Sequence, residues 1–118
     1  MGKDTNKVVQ ENNIQLTVGL NADRTPIKIE WEASDSQNGP EECKAMLISL
    51  FDKAHKDTLK IDLWTLEMQV NEMDRFMYQT LRGLADTYYR ATNNQQLSND
   101  FMRFVQYFGE KTETLPKK

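Results

Sequence analysis

The sequence predicts an α+β fold, a four-stranded antiparallel sheet made of two hairpins with two C-terminal helices packed on one face. Three observations carry this. Apolar and polar residues alternate over residues 14–20 and 27–33, they alternate again over 59–63, and from residue 71 onward the apolar spacing becomes that of a long helix. A chain of 118 residues has room for a single core, which the pattern places in one domain over residues 14–109. Residues 1–13 and 110–118 are polar and aperiodic, and read as flexible tails.

In the first strand Ile14, Leu16, Val18 and Leu20 share a face, with Gln15, Thr17 and Gly19 on the other. The second strand sets Ile27, Ile29, Trp31 and Ala33 against Lys28, Glu30 and Glu32. Between them, residues 21–26 carry Asn, Asp and Pro, the composition of a longer hairpin loop. Residues 34–40 form a loop ending in Asn38-Gly39-Pro40. The next segment supports two readings. Cys43, Met46, Leu47, Leu50, Phe51 and Ala54 fall at helical spacing, whereas residues 45–52 also suit a strand that turns over 53–57 into Leu59, Ile61 and Leu63. The preferred reading is a short helical turn leading into a strand.

From Asn71, a sound N-cap, Met73, Phe76, Met77, Leu81, Leu84 and Tyr88 form a helical stripe that ends at the Asn93-Asn94 break. Gly83 inside this helix costs roughly 1 kcal/mol against Ala and is read as a point of close approach. The last helix is expected to start at Ser98 as its cap, to present Phe101, Phe104, Val105 and Phe108, and to stop at Gly109.

Composition narrows function. Fifteen Lys and Arg against 18 Asp and Glu give a net charge of -3, which offers no general attraction to nucleic acid or anionic lipid. No apolar run approaches membrane-spanning length, and the polar opening residues lack a signal peptide, so a cytoplasmic location without membrane insertion is expected. One cysteine and one histidine exclude a disulfide framework and a multi-histidine metal site. Nucleotide-loop and paired-cysteine motifs are missing, so no cofactor is expected. Cys43 beside Glu42 reads as a small part-buried residue, and His55 as a solvated turn residue. Asp86 is one helical turn from both Arg82 and Arg90, and reads as an ion-pair partner. Nothing here assembles a catalytic constellation, and the chain is expected not to be an enzyme.

Two surfaces remain as protein-interaction candidates. On the open sheet face Trp64 stands with Lys60 and Asp62, and Lys28, Glu30 and Glu32 are expected to share that surface; a mixed patch around a Trp suits a protein partner. On the main helix Tyr78, Arg82, Ala85 and Tyr89 lie away from the apolar stripe, where packing by the last helix or formation of a homodimer would cover them.

The phrase Ile61-Asp62-Leu63-Trp64-Thr65, with Glu72-Met73, Gln79-Thr80-Leu81, Leu84-Ala85-Asp86-Thr87 and Arg90-Ala91-Thr92 at this spacing, resembles the gliding motility-associated GldC family. Pro26 and Ile29-Glu30-Trp31-Glu32 match its earlier segment, so the similarity covers residues 14–108; Gln69 stands where the family pattern has a proline. The resemblance implies a soluble accessory protein of the gliding machinery with no assigned catalytic residues. The expected function is an adaptor for a component of the motility or associated secretion machinery, the alternatives being a chaperone for an exported component and, in another class, a small-ligand carrier or enzyme.

Overall fold

The computed structural model describes residues 5–115, which form two compact units divided between Glu67 and Met68. The first contains β1 (Ile14–Leu20), β2 (Pro26–Ala33), β3 (Glu41–Cys43), β4 (Ala45–Phe51) and β5 (Thr58–Trp64); the second contains α1 (Val70–Thr92) and α2 (Gln95–Lys111). The fold is thus α+β with antiparallel pairing, as the sequence predicts. The single four-stranded sheet requires correction. Strands β1, β2 and β3 form a three-stranded sheet in that order, and β4 pairs with β5 in a separate two-stranded sheet.

The phase of the apolar residues explains the division. Val18, Ile29 and Cys43 lie on one rung of the larger sheet and therefore on one face, where Ile29 is fully buried. In the smaller sheet the apolar rungs are Met46 with Leu63, Ile48 with Ile61 and Leu50 with Leu59. Met46 stands three positions after Cys43, an odd step, so an unbroken pleat would send them to opposite faces. The chain breaks the pleat at Lys44, whose carbonyl accepts a hydrogen bond from the Thr65 N–H at 2.8 Å. Residues before the break also depart from the expected helical turn, because the backbone of β3 is committed to its ladder with β2, Glu41 standing opposite Trp31.

The other face of the larger sheet is polar. Glu30 stands directly opposite Glu42 on one side and Thr17 on the other, while Glu32 faces Gln15. Like charges on one rung work against pairing. The Lys28 ammonium lies 3.2 Å from a Glu30 carboxylate oxygen and offsets part of that repulsion. In the β1–β2 loop the Asn21 side chain accepts from the N–H groups of Asp23 and Thr25, the local chemistry that makes Asn a turn residue.

Helix α1 starts two residues earlier than expected. Gln69, not Asn71, is the cap, because its N–H donates to the Glu72 carboxylate at 3.0 Å. At the other end Asn93 adopts the left-handed conformation with φ 57° and donates its N–H to the Tyr89 carbonyl. Asn94 follows at once as the cap of α2, its side chain accepting from the Leu97 N–H at 3.0 Å. Ser98, the expected cap, is therefore a buried residue of the first turn.

Neither helical glycine has its expected role. Among the described residues, no atom outside the helix's own nearby backbone lies within 4 Å of where a Gly83 side chain would begin, so no other element approaches there. Gly109 lies inside α2, and a Cβ on it would come within 2.7 Å of the side chains of Tyr78 and Leu115. Its small size is used for contact rather than for stopping the helix, which continues to Lys111. Residues 1–4 and 116–118 of the two expected tails lie outside the described residues.

Candidate functional site

Alternation along β5 puts Lys60, Asp62 and Trp64 on one face of the hairpin, opposite Ser49, Leu47 and Ala45. Lys60 and Asp62 form an ion pair of 3.0 Å. Trp64 at one end of this face is 55% exposed, and Phe51 at the other end is 69% exposed. On the reverse face, near the turn, the opposed pair Leu50 and Leu59 is also exposed. The hairpin therefore presents aromatic side chains at both ends of an ion pair, with an aliphatic pair at its tip.

The turn between the strands is tied by Asp52. One of its carboxylate oxygens accepts from the N–H groups of His55 at 2.7 Å and Ala54 at 3.1 Å, and lies 2.9 Å from His55 Nδ1. These bonds, led by the His55 N–H and then its ring, hold the Asp52 carboxyl below its ordinary value. Lys56 completes the turn in the left-handed region with φ 59°. Local hydrogen bonding fixes the reversal, so the exposed apolar groups beside it are displayed on an ordered hairpin.

Lys28, Glu30 and Glu32 do not join this face. They lie on the polar side of the three-stranded sheet, so the six residues expected on one surface belong to two separately bonded sheets. The break in phase at Lys44 is the cause.

In the helical unit, α2 runs along the side of α1 that bears Tyr78, Arg82 and Tyr89. Ala85, between the last two, is buried, and the Tyr78 ring meets Gly109. Arg82 and Tyr89 border a groove of about 330 Å³ whose other wall includes Ser98 and Met102 of α2. Asp86 pairs with Arg90 at 2.9 Å, and Arg82 has no ion-pair partner among the described residues.

Other titratable groups do not converge. Burial pushes the Cys43 thiol up, a hydrogen bond from the Ala45 backbone opposes that, and the Glu42 carboxylate adds to it. Among the described residues no three His, Cys, Asp or Glu side chains are grouped to hold a metal ion, and no helix is long and apolar enough to cross a membrane. Sequence reasoning missed Leu50, Phe51 and Leu59 as surface groups. Their signal was present, since adjacent apolar residues in a strand point to opposite faces and Leu50 and Phe51 cannot share one interior. It missed as well the Thr65 and Ser98 hydroxyls, both buried without a hydrogen-bond partner.

The profile of the GldC-like family, described as gliding motility-associated protein GldC-like, matches residues 26–114. No curated protein and no solved structure matches the chain.

Proposed function

The chain belongs to the gliding motility-associated GldC-like family, and from that premise we propose that it is a non-catalytic adaptor binding a polypeptide component of the motility or associated secretion machinery inside the cell. The observation that carries this reading is the β4–β5 hairpin, which displays Trp64, Phe51, Leu50 and Leu59 on an ordered turn. A few residues carry most of the binding energy at protein interfaces and Trp is enriched among them, while the Lys60–Asp62 pair beside Trp64 supplies polar definition. Support for a non-catalytic role comes from the thiol of Cys43, whose pKa burial raises rather than lowers, and from Asp52, whose carboxylate is committed to the turn. A single unpaired cysteine suits a reducing compartment.

Cross-linking in motile cells, followed by affinity recovery of the tagged chain, tests the reading. The native chain should recover a motility component, and Trp64→Ala and Phe51→Ser should each reduce that recovery while circular dichroism melts stay close to native. Undiminished recovery by both variants would reject the hairpin as the binding surface.

A further inference from the structure

The three-stranded sheet has two outer edges of opposite character. On one side β3 is three residues long and carries Glu41 and Glu42, both exposed, and a short, charged strand is a poor template for further pairing. On the other side β1 runs from Ile14 to Leu20 with neither a charge nor a proline. Every residue from Ile14 to Thr17 is exposed, whereas Ala45 to Ile48 of β4, the other uncharged strand with a free edge, are half-buried. Protection is thus built into one edge of the sheet and left out of the other.

The hydrogen-bond phase of β1 shows what its free edge offers. Asn13 and Ser34 extend the ladder with β2, the Ser34 N–H donating to the Asn13 carbonyl at 2.9 Å and the Asn13 N–H to the Ser34 hydroxyl at 3.0 Å. Bonded and non-bonded pairs alternate in an antiparallel ladder, so Gln15, Thr17 and Gly19 bond to β2 and the N–H and C=O groups of Ile14, Leu16 and Val18 point outward. Among the described residues none of these outward groups has a partner. The bulge between Gly19 and Leu20 ends the regular edge, which therefore runs over residues 13–19 with Leu16 at its midpoint.

We propose that β1 pairs antiparallel with β1 of a second copy of this chain, across a two-fold axis at Leu16, to give a six-stranded sheet. Leu16 then stands opposite the partner's Leu16, Ile14 opposite the partner's Val18, and Gln15 opposite the partner's Thr17. Each copy supplies the bonding phase that the other lacks, with apolar residues meeting on one face and neutral polar residues on the other. The joint also extends an apolar surface already on display, since Ile14 is 73% exposed and Leu16 shares its rung with the part-exposed Trp31. Charge is kept away from it. Glu30 beside Thr17 and the partner's Glu32 share a row across the joint but are three strand spacings apart, about 14 Å, which exceeds the screening length of about 8 Å in physiological salt. Pairing consumes β1 in both copies and leaves a blunted β3 at each rim, so assembly closes at two. The β4–β5 hairpin lies in the other sheet, and this inference goes beyond the adaptor reading without depending on it.

Sedimentation equilibrium of the full chain, over a concentration series reaching about 0.5 mM, tests the pairing and should approach twice the mass of the chain with a Kd in the roughly micromolar range of a small interface. Leu16→Lys sets two ammonium groups across the axis and should weaken the dimer about 100-fold. Leu16→Pro removes an outward N–H that β2 does not use, so the circular dichroism of the monomer should persist while the dimer is lost. In a Cys43→Ala background, oxidised Leu16→Cys should form an intermolecular disulfide, because residues facing each other in a bonded pair lie about 5.5 Å apart at Cα. Gln15→Cys, which faces Thr17 instead of itself, should cross-link at least about tenfold less. A monomeric mass throughout the series, a dimer that survives both Leu16→Lys and Leu16→Pro, or equal cross-linking at residues 15 and 16 would overturn the assignment. A monomer whose Leu16→Cys thiol joins a different protein in cells would overturn the choice of a second copy. The hairpin variants Trp64→Ala and Phe51→Ser should dimerise as the native chain does, and a loss of dimer in both would also count against pairing through β1.

Discussion

Ile29 in the strand unit and Val105 in the helical unit are the largest side chains wholly withdrawn from water, and they are held by different kinds of order. Ile29 depends on a rung shared with Val18 and Cys43, residues brought together only when three strands agree in register. Val105 lies on a helix whose start is fixed by Asn94 three residues before Leu97, and whose contact with α1 passes through small residues, Ala85 and Gly109. Local bonds define the helical unit, whereas agreement between distant segments defines the strand unit. An error of phase in the first displaces a cap by a residue or two; in the second it changes which sheet a strand joins.

The largest expected effect is on the strand unit. Ile29→Ala should destabilise the chain by about 4 kcal/mol, because it removes several buried methyl and methylene groups from a rung that cannot collapse without loss of pairing. Val105→Ala removes less and should cost about 2 kcal/mol. Chemical denaturation of both variants measures the difference, and a reversed order would break the contrast between the two regions.

Next in size is the pair of helical glycines. Gly109→Ala should destabilise by about 1–3 kcal/mol, since the new methyl meets Tyr78 and Leu115. Gly83→Ala finds open space in a helix interior and should stabilise by about 0.5–1 kcal/mol. Thermal melts that moved in the same direction for both would contradict the assignment of close approach to Gly109 alone.

The smallest effect is one of pH, and it sharpens the point that one corner of the strand unit is locally tied. Asp52 has a folded pKa below its ordinary value, so its contribution is fully present above the unfolded carboxylate range and is lost as pH falls through the lower folded value. Amide exchange at Ala54 and His55 should accordingly quicken, relative to other turns, at acid pH, and Asp52→Asn should abolish that acid-dependent step. An unchanged step in the variant would assign it to another group.

Much of this architecture is legible in the chain. The alternation of β1, β2 and β5 and the long stripe of α1 follow from period alone, as does the Asn93-Asn94 junction from its turn chemistry. Residues 41–51 were not, because a short apolar run satisfies helical and extended spacing equally, and the odd step from Cys43 to Met46 acquires meaning only when Ile29 and Leu63 are known to lie opposite them. Of the interaction surface, Trp64, Lys60 and Asp62 were legible as one face since they alternate within a single strand. Their expected neighbours on β2 were not, since membership of a common sheet is a property of the whole fold. The groove beside Arg82 depended on which of two arginines Asp86 would choose, and spacing offers both.

Lys44 has a consequence for lineages as well as for this molecule. Deleting that one residue would bring Cys43 and Met46 into the same phase and let the chain run straight through as one long strand, merging both pleated layers. A relative shorter by one at this point should thus display a single continuous layer. Length variation there would act as a topological toggle, with each substitution elsewhere left unchanged.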